Sequence, residues 1–567
     1  MSTNKFELPH SPLIWMAAIT ACLVIPTISY WPALDAGFYF DDLQNIVEAT
    51  PLHWGEITLN NIKHGIENAF MPRRIVANLS FALNYRVGDL NPKGFHLVNI
   101  FIHLATGLAL SWVALMMALH RSRAKNNYLA EFITSLMISL LFLLHPLNTQ
   151  AVTYIVQRMA SMSTLFFLIA FGCYLYARNW ATKPTKISVY ILCTIFWLLS
   201  LGSKEIAFAF PIVTATYEFS FNRPNLVNHI RRKISDGTIW KWLIVIFLSL
   251  VIISVLLMSY AKPYLAWNNN FTGRDFNGYQ RVLTQSRAHF FYLSLLLWPA
   301  PSRLNLDHHF PLSESLFNPW TTFPAILFWA FVFFLSVRLL RKHPGYGFPM
   351  LMYLVLHGIE SGPINLELVF EHRMYLPMTA LALLATSAVL DLRPTYRKFV
   401  WLLLGVLAFP LAFATYSRNE TWSDFVALHY DTAQKSPNKF RPQYNLGTEL
   451  GKLGRYGEAL KALNRALEIN PKDSNAHNQM GNCYSLMGLK AQALLEYEKA
   501  IELNPKHAEA VYNLATLYDR KKEYEKAKHY YHMFLLIAPP SLENYRKKVH
   551  MRLMILGSNR QSKIRAR

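Results

Sequence analysis

Charge is the first thing this chain is short of. Of its 567 residues only 16% are Asp, Glu, Lys or Arg, whereas 53% are hydrophobic and 14% aromatic. A soluble chain of this length carries about 25% charged residues, so an ordinary soluble domain is excluded. Acid is scarcer still: 34 acidic against 56 basic residues give a formal net charge of +22. Cysteine is nearly missing. Cys22, Cys173 and Cys193 lie in apolar runs and Cys483 lies near the C-terminal end, with no spacing that fits a disulfide framework or a metal site. A Gly-rich phosphate loop is also absent, which argues against a nucleotide-sugar ligand. The first apolar run, "SPLIWMAAITACLVIPTISYWPAL", lacks a small-x-small cleavage site and reads as a retained first span.

What is present is a series of apolar runs long enough to cross a bilayer, which takes roughly 17–25 residues as a helix. They fall at 12–34, 95–119, 129–145, 159–178, 187–201, 206–221, 241–261, 321–340, 347–359, 374–391 and 399–416, about eleven spans. Basic clusters such as "HRSRAK" (120–125), "RLLRKH" (338–343) and "RPTYRK" (393–398) recur between them, the pattern of cytoplasmic loops. The excess of positive charge is therefore assigned to membrane topology, and no nucleic-acid partner is expected. The run "HFFYLSLLLWPAP" (289–301) is read as a re-entrant or surface-lying helix, because a full span there would place two basic loops outside. This predicts a cytoplasmic N-terminus, an external C-terminus and three external regions: the first loop 35–94, the segment 262–320, and everything after about 417.

The last region repeats itself. The segments 440–473, 474–507 and 508–541 align at a spacing of 34 residues, the tetratricopeptide (TPR) period. Pro471, Pro505 and Pro539 close the units, and small residues recur in register at Gly447, Gly481 and Ala515 and at Ala459, Ala493 and Ala527. Each unit is an antiparallel helix pair, and stacking the pairs makes a concave face for an extended peptide or a partner helix. The predicted organisation is all-α: a membrane helix bundle at 1–416, a degenerate half repeat and linker at 417–439, three TPRs at 440–541 forming an α-solenoid, and a basic tail at 542–567 that caps the last repeat, touches lipid headgroups or is disordered.

Charged residues at the ends of spans are the candidates for chemistry, since charge at membrane depth is costly unless paired or wet. "GFYFDDLQN" places Asp41 and Asp42 directly after the first span. "HPLNTQAVTYIVQRM" carries His145 and Arg158, "SLGSKEIAFAFP" carries Lys204 and Glu205, "FEHRMYLP" carries Glu371 and Arg373, and "FMPRRIVANLSFALNY" carries Arg73 and Arg74. Each alone has a structural reading: Arg158 as an interfacial anchor, Lys204 paired with Glu205, Arg373 paired with Glu371, Asp41 or Asp42 as a helix cap. The topology puts all of them on one membrane face. Cations beside carboxylates at headgroup depth suit a substrate that bears a phosphate.

The order "FYFDD", "RRIVANLSFALNY", "GFHLVNIFIHL", "HPLNTQAVTYIVQR", "SKE", "EHRMYLP" and then TPRs resembles the transmembrane-and-TPR-containing protein O-mannosyltransferases, polytopic glycosyltransferases of the GT-C fold. The resemblance runs from about residue 35 to 541. The chain departs from the animal members in its few repeats and its short first-loop insertion, which leaves the sugar and the acceptor open.

The resemblance implies a donor of one sugar on a polyprenyl phosphate and a Ser or Thr hydroxyl as acceptor, with inversion. One carboxylate then suffices as general base, because the leaving phosphate needs no protonation. Asp41 is the expected base and Asp42 its orienting neighbour, with the roles exchangeable. Arg158, Lys204 and Arg373 would hold the donor phosphate, Glu205 would fix Lys204, and Glu371, Arg73, Arg74 and His145 would support them. A loosely bound divalent cation stays open, since some GT-C enzymes use one beside the first-loop acid. Here His96, His103, His145, His308 and His309 read as hydrogen-bonded structural residues, and no tightly bound metal or other cofactor is expected. The expected setting is a bacterial inner membrane, with the TPRs outside recognising an acceptor such as a pilin or another surface protein. Transfer to a lipid or glycan acceptor, or a non-catalytic TPR scaffold, are the rival readings.

Overall fold

The computed structural model describes residues 12–121, 128–222, 269–271 and 273–565. Among the described residues there are helices and turns and no β-strand. The chain divides into two units. One comprises Met1–Leu306 with Phe310–Asp424, the other Asp307–His309 with Phe425–Arg567.

Among the described residues of the first unit, six helical segments are long and apolar enough to cross a membrane: Pro92–Arg121, Ile155–Asn179, Lys183–Leu201, Thr322–Lys342, Glu371–Leu390 and Pro394–Ser423. A seventh is counted if Tyr128–Leu143 and Pro146–Val152, bent by 54° at their junction, form one span. Pro146 accounts for the break, since it has no N–H to continue the helix. The chain is a multi-pass membrane protein, and among the described residues six or seven of the eleven expected spans have this length. Phe210–Phe221 has 12 residues and Pro344–Gly358 has 15. They rise about 18 and about 22 Å, short of a hydrocarbon core of about 30 Å. The first run is the helix Pro12–Ser29, and the run at 241–261 lies outside the described residues. The last membrane helix continues to Ser423, past the boundary expected at 416. Residues 289–297 of the segment 289–301 belong to a longer helix, Gly278–Leu297, started by a reciprocal Asn277–Gln280 capping box.

The core of this unit carries a polar seam. His96, Asn99, His103 and Thr106 recur at three- and four-residue intervals on the helix Pro92–Arg121, and all are fully buried. Each is hydrogen-bonded. The His96 ring lies 3.0 Å from the Ala36 carbonyl. Asn99 Nδ2 donates to the carbonyls of Val152 and Ile155 at 2.9 and 3.3 Å. The His103 ring meets the Leu143 carbonyl at 2.9 Å and the Tyr375 hydroxyl at 2.7 Å. The irregular stretch 144–157 cannot satisfy its own backbone inside an apolar core, so the neighbouring helix supplies donors and acceptors.

In the second unit, three helix pairs follow one another: Phe440–Lys452 with Tyr456–Ile469, Ser474–Leu486 with Lys490–Leu503, and Ala508–Arg520 with Tyr524–Ile537. The small residues stand where paired helices approach most closely. A Cβ on Gly447 would meet Leu463 Cγ at 2.6 Å, and one on Gly481 would meet the Tyr497 ring at 2.5 Å. The turn between the helices of each pair needs a left-handed residue, filled in register by Gly454 (φ 76°), Gly488 (φ 78°) and Lys522 (φ 64°). A further helix, Phe425–Lys435, precedes the first pair. The tail is the helix Glu543–Arg565. It packs Val549 and Leu556 with Leu514, Tyr518 and Phe534, and Arg552 grips Asp519 through two hydrogen bonds of 2.7 and 2.8 Å. Of the three roles open to the tail, capping the last repeat is the one seen. Residues 307–309 belong to this unit through Asp307, whose carboxylate takes the Lys439 ammonium at 2.5 Å and the Arg441 guanidinium at 2.7 and 2.8 Å.

Candidate active site

Two adjacent carboxylates meet opposite environments in the first loop. Phe40 adopts φ +44°, a left-handed conformation that is strained for a side chain of its size. The turn it makes sends Asp42 inward and Asp41 outward. Asp42 is fully buried. Its Oδ2 accepts from the Tyr39 amide at 2.9 Å and its Oδ1 from the Val156 amide at 2.7 Å. Burial pushes its pKa well up from the usual carboxylate range, against the pull of these two N–H groups and of Arg158. Asp41 is exposed. Its amide donates to the Tyr154 hydroxyl at 2.8 Å, and its side chain also lies by that hydroxyl. Just beyond, the Glu48 amide reaches back five residues to the Leu43 carbonyl at 2.7 Å, one wide π-type turn.

The cations gather around a different part of the same backbone. Arg74 chelates Glu205, with Nε to Oε1 at 3.3 Å and Nη2 to Oε2 at 3.0 Å, and its Nη1 touches Met159 Sδ at 3.0 Å. Lys204 Nζ lies 2.6 Å from Glu360 Oε1, with both side chains almost fully buried. Burial lowers the Lys204 pKa, Arg74 and Arg373 lower it further, and Glu360 opposes them. Arg373 is buried and uses Nη1 to hold the carbonyls of Glu367 and Leu368 at 2.7 and 3.2 Å. Its Nε and Nη2 have no hydrogen-bond partner among the described residues. This cluster therefore contains three cations and two carboxylates, and one guanidinium with donors to give.

The expected partners are exchanged. Glu205 does not fix Lys204. Lys204 has extended backbone (φ −159°, ψ 146°), so its side chain and that of Glu205 leave the chain on opposite sides. Glu205 pairs with Arg74 instead, and Lys204 with Glu360. Burial works to raise the Glu205 pKa, but Arg74 outweighs it and holds the group below its usual value. Arg158 also departs from its expected role. Its guanidinium is fully buried over the Phe81 and Phe95 rings. Its donors go to Asn99 Oδ1 at 2.6 Å, the Phe95 carbonyl at 2.9 Å and the Ser80 carbonyl at 3.2 Å. It is a clamp on protein groups, with no donor face turned to a ligand. Glu371 accepts from the Asn305 amide at 2.6 Å, and no ion pair with Arg373 is seen. His145 uses both ring nitrogens on backbone, the Leu296 carbonyl at 3.0 Å and the Leu147 amide at 3.2 Å. Arg73 is exposed. Among the described residues no group of three or more His, Cys, Asp or Glu is placed to hold a metal ion.

The segment 149–159 joins the two halves of the site. It takes Asp42 at Val156, presents Tyr154 to Asp41, meets Arg74 at Met159, and uses Gln150 Oε1 to accept from the His372 amide at 2.9 Å, next to Arg373. Val156 and Met159 are three residues apart, so even a fully extended chain would separate them by no more than about 11 Å. Glu360 and Arg281 were not foreseen. Arg281 staples the loop that carries Glu360 by donating to the carbonyls of Glu360 (2.6 Å), Leu366 (3.1 Å) and Gly362. Glu360 stands at the end of an apolar run, as Lys204 does, and the rule that flagged the lysine applies to it equally.

Tetratricopeptide repeat family models match residues 441–473, 474–507 and 496–529. Human protein O-mannosyl-transferase TMTC3 is 26% identical over 510 residues, which cover 82% of this chain and 53% of that protein. Protein O-mannosyl-transferase tmtc2 of Xenopus laevis is 34% identical over 211 residues, 34% of this chain and 23% of that protein. A solved structure titled as YrrB, a TPR protein with an unusual peptide-binding site, is 28% identical, covers 27% of this chain and 89% of its own, and has a TM-score of 0.20. The chain thus spans about half the length of the curated relatives it matches. On its repeats, its membrane helices and these relatives, the chain is similar over most of its length to the TMTC protein O-mannosyl-transferases.

Proposed function

We propose that this protein is a GT-C-type membrane glycosyltransferase that moves one sugar, with inversion, from a polyprenyl-phosphate donor to Ser or Thr hydroxyls of an exported protein. The observation that supports it best is the division of labour in the first-loop turn. One carboxylate is exposed beside a buried tyrosine hydroxyl, and its neighbour is locked onto the segment that also meets the cation cluster. In this reading the acceptor oxygen forms its bond to the anomeric carbon as the carbon–oxygen bond to phosphate breaks. The acceptor proton passes to Asp41, and polyprenyl monophosphate departs. Asp42 positions Asp41 and stays off the substrate. Lys204 and Arg373 receive the phosphate, with Arg74 adding charge, and the stabilisation grows as the leaving oxygen gains charge. Arg158 positions the segment 149–159 through Asn99. A divalent cation is not part of this reading.

The proposed setting is a bacterial inner membrane with the repeats on the periplasmic side, holding an acceptor such as a surface protein in their concave face. A phosphatase–galactosidase dual reporter after Arg567 tests that placement. The reaction itself is tested with purified protein, a panel of polyprenyl-phosphate monosaccharides and Ser/Thr peptides, read by mass spectrometry. Single-sugar additions that depend on Asp41 support the proposal. Transfer only to lipid or glycan acceptors, or none with any donor, would overturn it.

A further inference from the structure

The inner helices of the three repeats carry a polar groove with a volume of about 350 Å³. Its lining follows the 34-residue register. Thr448, Asn482 and Thr516 form one row along it, and Lys452, Leu486 and Arg520 form the next. Side-chain amides brace the floor: Asn513 Nδ2 donates to Asn478 Oδ1 at 3.0 Å and to Asn482 Oδ1 at 2.9 Å, and the Tyr497 hydroxyl donates to Asn482 Oδ1 at 2.8 Å. The floor is therefore held in place before any ligand arrives.

No acidic residue lines the groove, and two acids near it, Asp519 and Glu498, are engaged elsewhere. Asp519 is held by both nitrogens of Arg552, and Glu498 accepts from the Tyr518 hydroxyl at 3.2 Å. Lys452 has a contact of 2.7 Å with Glu449, but its side chain is 66% exposed, and such a surface pair yields readily to a better anion. Arg520 is exposed and has no hydrogen-bond partner among the described residues. Two cations thus stand at either end of a row with an exposed leucine between them. Adjacent inner helices pack about 8–10 Å apart, which puts the outer two roughly 16–20 Å apart. An extended chain advances about 3.3 Å per residue, so five or six residues cover that distance.

We propose that this groove takes an extended segment of the acceptor protein with acidic side chains five to six residues apart and an apolar residue between them, seated over Leu486. The inference rests on the proposed protein acceptor and adds its sequence character. The carboxylates would pair with Lys452 and Arg520, while the amide and hydroxyl row meets the peptide backbone.

The test uses the full-length protein in detergent and fluorescent peptides, read by anisotropy at low salt. One peptide carries two Asp six residues apart around a Leu, a second carries Asn at both positions, and a third carries Lys. The wild type is expected to bind the Asp peptide at least about tenfold more tightly than the Asn peptide, with the preference fading as salt is raised. Arg520→Glu and Lys452→Glu, both at exposed positions, are expected to lose that preference, and the double variant to favour the Lys peptide. Equal binding of the Asp and Asn peptides by wild type, or an undiminished preference in the double variant, overturns the proposal. Binding is read without sugar transfer. If the charge preference holds while no polyprenyl-phosphate donor is ever used, the groove assignment stands and the transferase reading is the one that fails.

Discussion

The Asp42 carboxylate accepts the Val156 amide at 2.7 Å, and this bond decides what its neighbour Asp41 can do. With Asp42 tied inward, Phe40 turns left-handed and Asp41 is left on the surface of the loop. The two aspartates should therefore fail in different ways. Asp41→Asn keeps the fold and lowers sugar transfer on the order of a hundredfold or more. Asp42→Ala strands two amides and destabilises the protein by about 1–3 kcal/mol for each. Thermal unfolding followed by size-exclusion chromatography, set beside a transfer assay, separates the two. A fully active Asp41→Asn protein would remove Asp41 from the role of base.

Lys204 and Glu360 bury opposite charges 2.6 Å apart. Removing one partner leaves the other uncompensated, so Lys204→Met is expected to cost about 3–5 kcal/mol. The double variant Lys204→Met with Glu360→Leu should recover most of that stability, because an apolar pair of similar volume carries no buried charge. It should not recover transfer, since the phosphate loses its ammonium. Recovery of activity together with stability would show that Lys204 serves packing alone.

Arg158 separates a positioning role from a phosphate-binding one. Its donors end on Asn99, Phe95 and Ser80. Arg158→Lys keeps the charge but cannot reach all three. The expected result is a lower melting temperature and a reduced kcat, with KM for the lipid donor within about threefold of wild type. A selective rise in donor KM at unchanged stability would return Arg158 to the phosphate.

The Arg74–Glu205 pair sets a sign for acid sensitivity. The Glu205 pKa is depressed in the folded protein below its ordinary value of 4.5. The stabilisation from the pair is complete above that ordinary value and is lost as pH falls through the lower folded pKa. Between pH 5 and pH 3 wild type should therefore lose more stability than Glu205→Gln, and the two should run parallel above pH 6. Parallel curves over the whole range would show that the pair adds no stability.

Much of the architecture was legible in the residues because it depends on local periodicity. Apolar runs of membrane length mark the helices. The 34-residue recurrence marks the repeats, down to Gly447 and Gly481 at the close helix contacts. Length is less legible than composition: Phe210–Phe221 and Pro344–Gly358 read as spans by composition but have 12 and 15 residues. The candidate site was legible as a set of residue types and illegible as a set of pairs. Asp41, Asp42, Lys204 and Arg373 were singled out, but Glu360, Arg281 and the hydroxyl of Tyr154 acquire a role only through partners far away in the chain.

The sequence by itself determined that this is an all-helical, multi-pass membrane protein ending in tetratricopeptide repeats, since hydrophobic length and repeat period are properties of neighbouring residues. Tertiary structure alone decided which of two adjacent aspartates faces outward, and that Lys204 belongs to Glu360 and Glu205 to Arg74. The reason is geometric. The left-handed turn at Phe40 parts Asp41 from Asp42, and the extended backbone of Lys204 points its side chain away from that of Glu205, so each buried charge takes its partner from whatever element packs against it, and that partner is set by the whole fold.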